Sequence, residues 1–364
     1  MMLRSQMGSP YMEFAKLRSS MKYNLATSGI MSYPLAELPL TIEDLEINGT
    51  GPYGYAPLVE RIARYNDVAV ECVVTAAGTF LANHLAMAAT FDPGDEVLIE
   101  HPTYELLEST ALYLGADLKR FERRFEDGFR LDPAEVERQI TPRTELIILT
   151  NLHNPSGNYA DEDTIRKVGD IAKSHGARVL VDEVYLETFY GNRPTAAFHF
   201  GEHFLVSSSL TKAFGLSGIR CGWVLCSPQL AHRMWRINDL YAATPAHPAE
   251  RIGVIAFDNL DKVAARARVL LAVNRKALNQ FLDAQTSLDF YRPVYGTIVF
   301  PRLKKGIVDD FVKLLGKKYE TSVVPGPFFD MPQHFRIGIG GDTEMTRSGL
   351  ERLNLALDEY ALTV

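Results

Sequence analysis

Residues 207–223 read SSSLTKAFGLSGIRCGW and contain a single lysine, Lys212. An apolar run with strand character, residues 204–206, comes just before them. Ser209 stands three residues before Lys212, and Arg220 stands eight residues after it, beyond a glycine-punctuated turn. Desolvation disfavours the ammonium form of a lysine in apolar surroundings. Such a lysine is therefore well placed to serve as a neutral amine that attacks a carbonyl. A surface lysine in a loop is the alternative, and it is the commoner case for a lone lysine.

The composition is that of an ordinary globular protein: 46% of the 364 residues are hydrophobic and 23% are charged. A chain of this length predicts about two domains. The formal net charge is −7, with acidic and basic residues interspersed, so nothing indicates a nucleic-acid-binding surface. No run approaches the ~20 apolar residues of a membrane span, and residues 1–20 do not resemble a secretory signal. We therefore expect neither nucleic acid nor a membrane as a partner.

The chain has three cysteines, Cys72, Cys221 and Cys226, without the number or spacing of a disulfide framework or a zinc site. A reducing, cytoplasmic compartment is therefore the default expectation, with Cys221 and Cys226 buried and unreactive. His199 and His203 lie four residues apart, but no third metal ligand is evident, so no metal site is predicted.

From about residue 70, short apolar runs alternate with helical patterns. This alternation predicts a mostly parallel sheet with helices on both sides, that is, a three-layer α/β/α domain. Residues 146–149 are wholly apolar, as expected of a strand that is buried on both faces. The predicted strands cover residues 70–74, 97–99, 118–121, 146–149, 178–181, 204–206 and 222–226. The predicted helices cover residues 57–65, 80–89, 104–114, 134–140, 161–174 and 229–241.

The remaining segments predict a second, smaller α+β domain. Residues 249–284 show one long helical pattern, and mixed strand and helix patterns follow it. A short helix is also expected to start at Pro10, because proline suits the first helical turn. We place the large domain at residues 42–261 and build the small domain from residues 1–41 and 262–364.

Ligands of parallel α/β sheets bind beyond the carboxyl ends of the strands, so the residues that follow each strand should lie near one another. A lysine, an aspartate, a tyrosine and an asparagine beside a helix amino-terminus suit pyridoxal phosphate. That cofactor needs a lysine for its aldehyde, an anion for its ring nitrogen and donors for its phenolic oxygen. The residues that follow the predicted strands are Gly78, Thr79, Tyr104, Asn154, Asp182 and Lys212.

The phosphate of such a cofactor suits the helix amino-terminus at Gly78 and Thr79, because free N–H groups and the helix dipole favour anions there. Glycine lets the backbone approach closely, and Thr79 adds a hydroxyl. Ser209 and the forked guanidinium of Arg220 would complete the phosphate site. Tyr104 is placed to stack on the ring.

Several motifs, taken in order, are specific as a set, although any one of them alone is weak. They are AGT (77–79), HPTY (101–104), NPSG (154–157), DEVY (182–185), SLTK (209–212) and GIRCG (218–222), with PLVERIARY (57–65), VPG (324–326) and FRI (335–337). Nearly the whole chain therefore resembles the class I/II aminotransferases, which are pyridoxal-phosphate enzymes of fold type I, similar to aspartate aminotransferase. The resemblance implies that fold and pyridoxal 5'-phosphate as the cofactor.

The resemblance also implies roles for matching residues. Lys212 would hold the cofactor as a Schiff base and move a proton between the substrate Cα and the cofactor. Asp182 would pair with the ring nitrogen, and Tyr185 and Asn154 would hydrogen-bond the phenolic oxygen. Glu183, next to Asp182, is expected to be solvated.

For the substrate, the resemblance implies that Arg336 binds the α-carboxylate, assisted by Asn154 and by the backbone near Gly29. It further implies that Tyr53 reaches the phosphate of the neighbouring subunit's cofactor, which requires a homodimer with shared active sites; Tyr55 is the rival for this role. No second arginine for a dicarboxylate side chain is identifiable.

The leading interpretation is an aminotransferase that moves an amino group from an amino acid to a 2-oxo acid. Another pyridoxal-phosphate reaction on the same fold, such as that of a decarboxylase, a lyase or a synthase of specialised metabolism, is the alternative. Sequence separates these poorly, because the cofactor supplies the chemistry and the site selects which Cα bond breaks. A non-enzymatic ligand sensor is a remote alternative, since it needs an attached DNA-binding module and the first 40 residues are too short for one.

Overall fold

The computed structural model describes residues 6–17, 19–49 and 53–363. The strands in these residues are β1 (Tyr23–Asn24), β2 (Val73–Ala77), β3 (Glu96–His101), β4 (Asp117–Glu122), β5 (Thr144–Thr150), β6 (Arg178–Asp182), β7 (Phe204–Ser209), β8 (Cys221–Leu225), β9 (Leu288–Asp289), β10 (Ile298–Val299), β11 (Arg302–Leu303), β12 (Thr321–Ser322), β13 (Val324–Pro325) and β14 (Phe335–Gly338). The helices are α1 (Pro10–Leu17), α2 (Ala56–Asn66), α3 (Gly78–Thr90), α4 (Glu105–Leu114), α5 (Pro133–Gln139), α6 (Glu162–Ser174), α7 (Pro228–Asn238), α8 (His247–Asp258), α9 (Leu260–Ala284), α10 (Val308–Tyr319) and α11 (Thr343–Ala361).

A seven-stranded sheet lies at the centre, in the order β2-β8-β7-β6-β5-β3-β4. Strands β3 to β7 pair in parallel, and β8 runs antiparallel to both of its neighbours, β2 and β7. The prediction of a mostly parallel α/β sheet is therefore confirmed. The carboxyl ends of β2, β5, β6 and β7 point the same way, so the residues that follow them share one edge of the sheet.

The apolar run in β5 shows how the three layers form. Ile147 and Leu149 belong to one core cluster, whereas Leu146 and Ile148 belong to a second one. Successive side chains of a strand point to opposite faces, so a strand that is apolar at every position needs cover on both sides. Helix α6 contributes to the first cluster, and α3 contributes to the second. The sheet is therefore buried between helices on its two faces.

Two predicted elements differ from the structure. The expected strand 70–74 starts only at Val73, where pairing with β8 begins, because residues Val70–Cys72 form a 3₁₀ turn. The expected single helix 249–284 is two helices, α8 and α9, which meet at Asn259 with φ −120° and ψ 18°. The Asn259 side chain donates to the Ile255 carbonyl at 2.8 Å. Asparagine competes with the helical backbone for such bonds and thereby ends the helix.

The carboxy-terminal part surrounds a three-stranded antiparallel sheet, β10-β14-β13. Strand β1 pairs in parallel with β12, so the amino-terminal segment joins this part of the molecule. Helix α11 packs against α9 and α10. The proposed domain boundary at residue 261 falls in the first turn of α9 and stays a prediction. Among the helices of the described ranges, none has the length and apolar character that crossing a bilayer requires. The cytoplasmic location also stays a prediction.

Candidate active site

A cavity of about 260 Å³ opens where the parallel strands end. Thr150 ends β5 and Asp182 ends β6, and both line the cavity together with Lys212, three residues beyond β7. The structure thus brings together the residues that follow separate strands. The sequence-predicted residues in its lining are Thr79, Tyr104, Asn154, Asp182, Tyr185, Lys212 and Arg220.

The Lys212 amine is half-buried, and it donates a hydrogen bond of 3.2 Å to Ser28 Oγ. Removal from water lowers the pKa of Lys212 to about 8; the charges of Arg336 and Arg220 lower it too, whereas Asp182 raises it. A substantial fraction of the amine is therefore neutral near physiological pH. Sequence reasoning missed Ser28, and its position beside Gly29 was the only available signal.

Asp182 is buried, and burial raises the pKa of its carboxyl to about 6, against the opposing effects of Asn83, the Val184 amide and Lys212. Asn83 Nδ2 donates to Asp182 Oδ2 at 2.9 Å, and the Val184 N–H donates to Oδ1 at 3.1 Å. Ser207 Oγ donates to Asn83 Oδ1 at 2.5 Å and so fixes the amide. Sequence reasoning missed Asn83, although it lies one helical turn after Thr79 on α3 and hence on the same face.

The amino-terminus of α3 meets a chain of hydroxyl groups. Thr79 Oγ1 donates to Ser209 Oγ at 2.8 Å, and Ser209 Oγ lies 2.6 Å from Thr211 Oγ1. Gly78 has a φ of +79°, and a Cβ on it would lie 2.2 Å from Arg220 Nη2. Any Cβ here would displace the guanidinium from this position, and the positive φ also favours glycine. A helix amino-terminus with hydroxyl groups and an arginine can bind a phosphate. Thr211 is an addition to the predicted set.

Two other buried side chains offer hydrogen-bond donors to the cavity. The Tyr185 hydroxyl makes no bond of hydrogen-bond geometry in the described part of the chain, and burial raises its pKa to about 12, against the charge of Arg336 and the nearby Ser28 hydroxyl. The Asn154 N–H donates to Thr150 Oγ1 at 2.9 Å, while Asn154 Oδ1 accepts from Arg336 Nη1 at 2.8 Å. The side-chain nitrogen of Asn154, Nδ2, therefore remains available as a donor. Tyr104 is buried in the cavity wall with its ring stacked on Phe80, with centroids 6.1 Å apart.

Arg336 of β14 is fully buried behind the lining residues. Its Nη1 donates to Asn154, its Nη2 donates to Tyr11 Oη at 2.8 Å, and its Nε has no partner in the described residues. Tyr11 lies on α1 and was not predicted to belong to the site. Nothing local in the sequence reveals this contact, because the two residues are 325 positions apart.

Glycines after Arg336 let the amino-terminal segment reach the site. A Cβ on Gly338 would lie 1.9 Å from the Thr27 carbonyl oxygen, and one on Gly340 would lie 2.1 Å from that of Gly29. Larger residues would push this segment away from β14. The segment instead lies beside Lys212, whose carbonyl accepts from the Ile30 N–H at 2.8 Å. The backbone around Gly29 is thus next to the lysine.

The expectation of a solvated Glu183 is wrong. Its side chain is only 1% exposed, and its Oε1 accepts from the Ala197 N–H at 2.8 Å. Arg193 Nη2 lies 3.8 Å from the other carboxylate oxygen. Burial raises the pKa of Glu183 to about 7, and Arg193 opposes the shift. The side chain turns into the protein, where the half-buried Arg193 lies, and sequence adjacency to Asp182 does not reveal that.

The cysteines and histidines take no part in the site. Cys221 and Cys226 are buried as predicted, and burial raises the pKa of each thiol to about 12. The described residues contain no group of three or more His, Cys, Asp or Glu side chains placed to hold a metal. His199 Nε2 lies 2.9 Å from the Asn66 carbonyl oxygen.

Tyr53 is not among the residues that line the cavity. Its ring packs on Trp235, and its hydroxyl accepts from Arg236 Nη1 at 2.6 Å. The side chain is 37% exposed. Its predicted contact with the cofactor of a neighbouring subunit stays a prediction.

Comparisons with known proteins identify the family. The family model described as "Aminotransferase class I and II" matches residues 37–353. Capreomycidine synthase of Streptomyces vinaceus is 27% identical, over 93% of this chain and 91% of its own; an aspartate aminotransferase of Sulfurisphaera tokodaii is 26% identical, over 85% and 82%. A PLP-dependent aminotransferase structure from Streptococcus suis superposes with a TM-score of 0.92 at 24% identity, covering 98% of this chain and 99% of that one. The chain therefore belongs to the class I and II aminotransferase family, whose members use pyridoxal 5'-phosphate.

Proposed function

We propose that this chain is a pyridoxal-phosphate-dependent aminotransferase that moves an amino group from an amino acid to a 2-oxo acid. The observation that carries the proposal is the pairing, in one cavity, of a lysine amine with a pKa of about 8 and a buried aspartate with a pKa of about 6. Near neutral pH, a fraction of the Lys212 amine is uncharged and can act as a nucleophile, while most of the Asp182 carboxyl is ionised. Members of the family act on small-molecule substrates, namely amino acids and keto acids.

The residues present fit the cofactor. The unpartnered, buried Tyr185 hydroxyl fits a phenolic oxygen, because a buried donor without a partner costs free energy until a ligand satisfies it. The missing side chain at Gly78 leaves room for Arg220 beside the α3 amino-terminus, where a phosphate is favoured. In this proposal the cofactor is held by Gly78, Thr79, Tyr104, Asn154, Asp182, Tyr185, Ser209, Lys212 and Arg220, with Tyr53 from a second copy.

Pyridoxal 5'-phosphate supplies an aldehyde that takes up the amino group and a protonated ring that draws electrons from the substrate Cα. The chain's own groups do the rest. Lys212 would hold the cofactor through its amine and would act as the base and acid at the substrate Cα, a role worth about 10²- to 10⁴-fold in rate. Asp182 keeps the ring nitrogen protonated, with its carboxylate oriented by Asn83 and the Val184 amide. Tyr185 donates to the phenolic oxygen.

Arg336 is the proposed binding group for the substrate carboxylate. Its guanidinium is fully buried and has only neutral hydrogen-bond partners among the described residues, one of which is Asn154. A buried cation with neutral partners favours an anionic ligand, since the anion offsets the lost hydration. Asn154 then stands between the carboxylate and the cofactor, and Gly29 leaves the approach to Lys212 open.

We also propose a homodimer, in line with the family, whose members are typically dimeric. Large apolar side chains are exposed on the described surface: Ile42 by 77%, Ile47 by 82% and Leu240 by 82%. Such residues are candidates for burial in a subunit interface. Tyr53 lies six residues after Ile47, and its hydroxyl accepts from Arg236 of its own chain. In this proposal it contributes to the cavity of the second copy.

The experiment that tests the aminotransferase proposal is a half-reaction. Protein loaded with pyridoxal 5'-phosphate is mixed with single amino acids, without any 2-oxo acid, and the visible absorbance is followed. We expect at least one amino acid to give one equivalent of 2-oxo acid per site, with pyridoxamine 5'-phosphate recovered after denaturation. Lys212→Ala is the matched control and should give neither. If no amino acid of a broad panel does so, transamination is wrong.

A synthase or another pyridoxal-phosphate reaction is the second candidate, and the similarity to capreomycidine synthase favours it. The residues of the site do not separate the two reactions, because the cofactor supplies the chemistry in both. Product analysis separates them. A synthase consumes its amino acid over many turnovers without any 2-oxo acid acceptor and leaves the cofactor unaminated.

A further inference from the structure

We propose that helix α1 forms part of the amino-acid binding site and selects a substrate with an uncharged, apolar side chain, and that Tyr11 is the positioning residue for Arg336. This inference rests on the proposed function, since it takes the cavity to be the amino-acid site and Arg336 to be its carboxylate-binding group. The inference adds a substrate class to the proposed function, because the catalytic residues alone do not define one.

Helix α1 lies against the cavity along one face. Tyr11, Met12, Phe14 and Ala15 line it, and these positions fall on adjacent turns of the helix. The helix is also held in place: Ser9 caps it by accepting from the Met12 N–H at 3.0 Å and donates to the Glu105 carboxylate of α4. The cavity wall on this side is thus apolar and fixed to the element that follows Tyr104.

The same helix holds the proposed carboxylate-binding group. Tyr11 is buried, and its hydroxyl accepts from Arg336 Nη2 at 2.8 Å while Asn154 accepts from Nη1 at 2.8 Å. These two acceptors and the Ala26 carbonyl, 3.4 Å from Nη2, set the plane of a guanidinium whose Nε is unpartnered among the described residues. Because all three acceptors are uncharged, they orient the arginine without neutralising it, and its charge stays available to a carboxylate.

Within the described part of this chain, Lys212, Arg220 and Asp182 are the charged residues that line the cavity, and each is already assigned to the cofactor. A charged substrate side chain would therefore find no partner among these lining residues, which is costly in a desolvated site. The remaining lining residues are uncharged, and Met12 and Phe14 of α1 form its apolar part together with Phe80 and Val324, beside serine and threonine side chains. An apolar side chain buries its surface there at no electrostatic cost.

The test measures binding of three carboxylates to the cofactor-loaded protein by calorimetry: 3-phenylpropanoate, glutarate and 5-(trimethylammonio)pentanoate. These carry an apolar, an anionic and a cationic end, and none of them has an amine that can react with the cofactor aldehyde. We expect 3-phenylpropanoate to bind at least about tenfold more tightly than either charged probe. Met12→Lys should then shift the preference towards glutarate by about tenfold or more. Leu17→Lys is the matched control, because Leu17 is on α1, 72% exposed and outside the cavity lining, and it should change nothing.

Tyr11→Phe tests the positioning role. It keeps the ring and removes the hydroxyl, so all three probes should weaken together, by about tenfold, as expected for a hydrogen bond to a charged group. KM for every amino acid substrate should rise by a similar factor while kcat changes little, which a general loss of folding would not produce. Glutarate or 5-(trimethylammonio)pentanoate binding as tightly as 3-phenylpropanoate, or a preference unmoved by Met12→Lys, overturns the substrate class. Since the probes do not react, that outcome is independent of whether the protein transaminates.

Discussion

Asn83 on α3 donates a hydrogen bond of 2.9 Å to Asp182 at the end of β6. The two residues are 99 positions apart, and both are buried. This bond lowers the pKa of Asp182, which burial raises, and so helps to keep the carboxylate ionised. An asparagine that takes no part in any recognised motif thus sets the charge of a residue proposed to hold the cofactor.

Asn83→Leu should therefore weaken cofactor binding at neutral pH. The variant removes a donor to a buried carboxylate, a change worth about 1.5–3 kcal/mol, or roughly tenfold or more in affinity. The pKa of Asp182 should rise above its value of about 6, so the loss should be larger at pH 6 than at pH 8. Absorbance titration of the apo protein with pyridoxal 5'-phosphate across this range measures both effects. Ser207→Ala, which only frees the Asn83 amide, should show a smaller change of the same sign. An unchanged pH dependence in Asn83→Leu would contradict this role.

Gly78→Ala should abolish most cofactor binding for a steric reason. The new Cβ would lie 2.2 Å from Arg220 Nη2, so the guanidinium must leave the α3 amino-terminus. Gly94→Ala is the matched control, because Gly94 also has a positive φ, +98°, but its new Cβ would have no described atom within 4 Å beyond its own chain neighbours. Both variants should lose about 1–2 kcal/mol of stability from backbone strain. Only Gly78→Ala should also lose cofactor affinity, by at least about tenfold. Equal affinities for the two variants would show that Arg220 does not need this space.

Sequence reasoning found the residues whose position follows from topology. Asp182 and Lys212 could be predicted because the carboxyl ends of parallel strands meet, wherever the strands lie in the chain. Asn83 and Tyr11 could not, since their contacts depend on how α3 and α1 pack, and no local pattern encodes a partner 99 or 325 positions away. The expectation for Glu183 fails for the same reason, because its burial is set by tertiary packing around Arg193.

The pKa of Lys212 predicts how cofactor uptake depends on pH. The amine must be neutral to attack an aldehyde, and its pKa is lowered from 10.5 to about 8. The neutral fraction, and with it the rate of uptake by the apo protein, should therefore rise as pH increases through about 8 and then level off. Stopped-flow absorbance at several pH values measures this rate. Lys212→Ala should show no such signal at any pH. A rate that keeps rising through the ordinary pKa of a lysine, 10.5, would mean that the amine is not perturbed.

Glu183 predicts a pH dependence of stability with the opposite sign to that of a salt-bridged acid. The pKa of its carboxyl is ordinarily 4.5, the value expected in the unfolded chain, and about 7 in the folded protein. Between these two pH values the folded state therefore binds one proton more than the unfolded state. Stability is therefore lost as pH rises from 4.5 to 7, by up to about 3 kcal/mol. The groups around it are Arg193, which opposes the shift, and Glu187 and Asp182, which add to it.

Glu183→Gln should remove this part of the pH dependence. Glutamine keeps an oxygen acceptor for the Ala197 N–H and cannot ionise. Urea unfolding of the apo protein at fixed concentration should therefore show a smaller difference between pH 5 and pH 8 in the variant than in the wild type. The prediction fails if the two proteins lose stability in parallel over that range.

Tyr53 provides a test of the proposed dimer. Within its own chain, Tyr53 is outside the cavity lining, and its hydroxyl is held by Arg236. If it completes the phosphate site of a second copy, Tyr53→Phe should weaken cofactor binding by about tenfold, the cost of one hydrogen bond to an anion. Tyr55→Phe is the matched control, since the Tyr55 ring instead packs edge-on against His247 at 4.8 Å. Dilution of the wild type below its dimer dissociation constant should reproduce the Tyr53→Phe loss, because either change removes the same hydroxyl. If only Tyr55→Phe lowers the cofactor affinity, the role belongs to Tyr55. Equal cofactor affinity in the monomer and the dimer would refute a shared site.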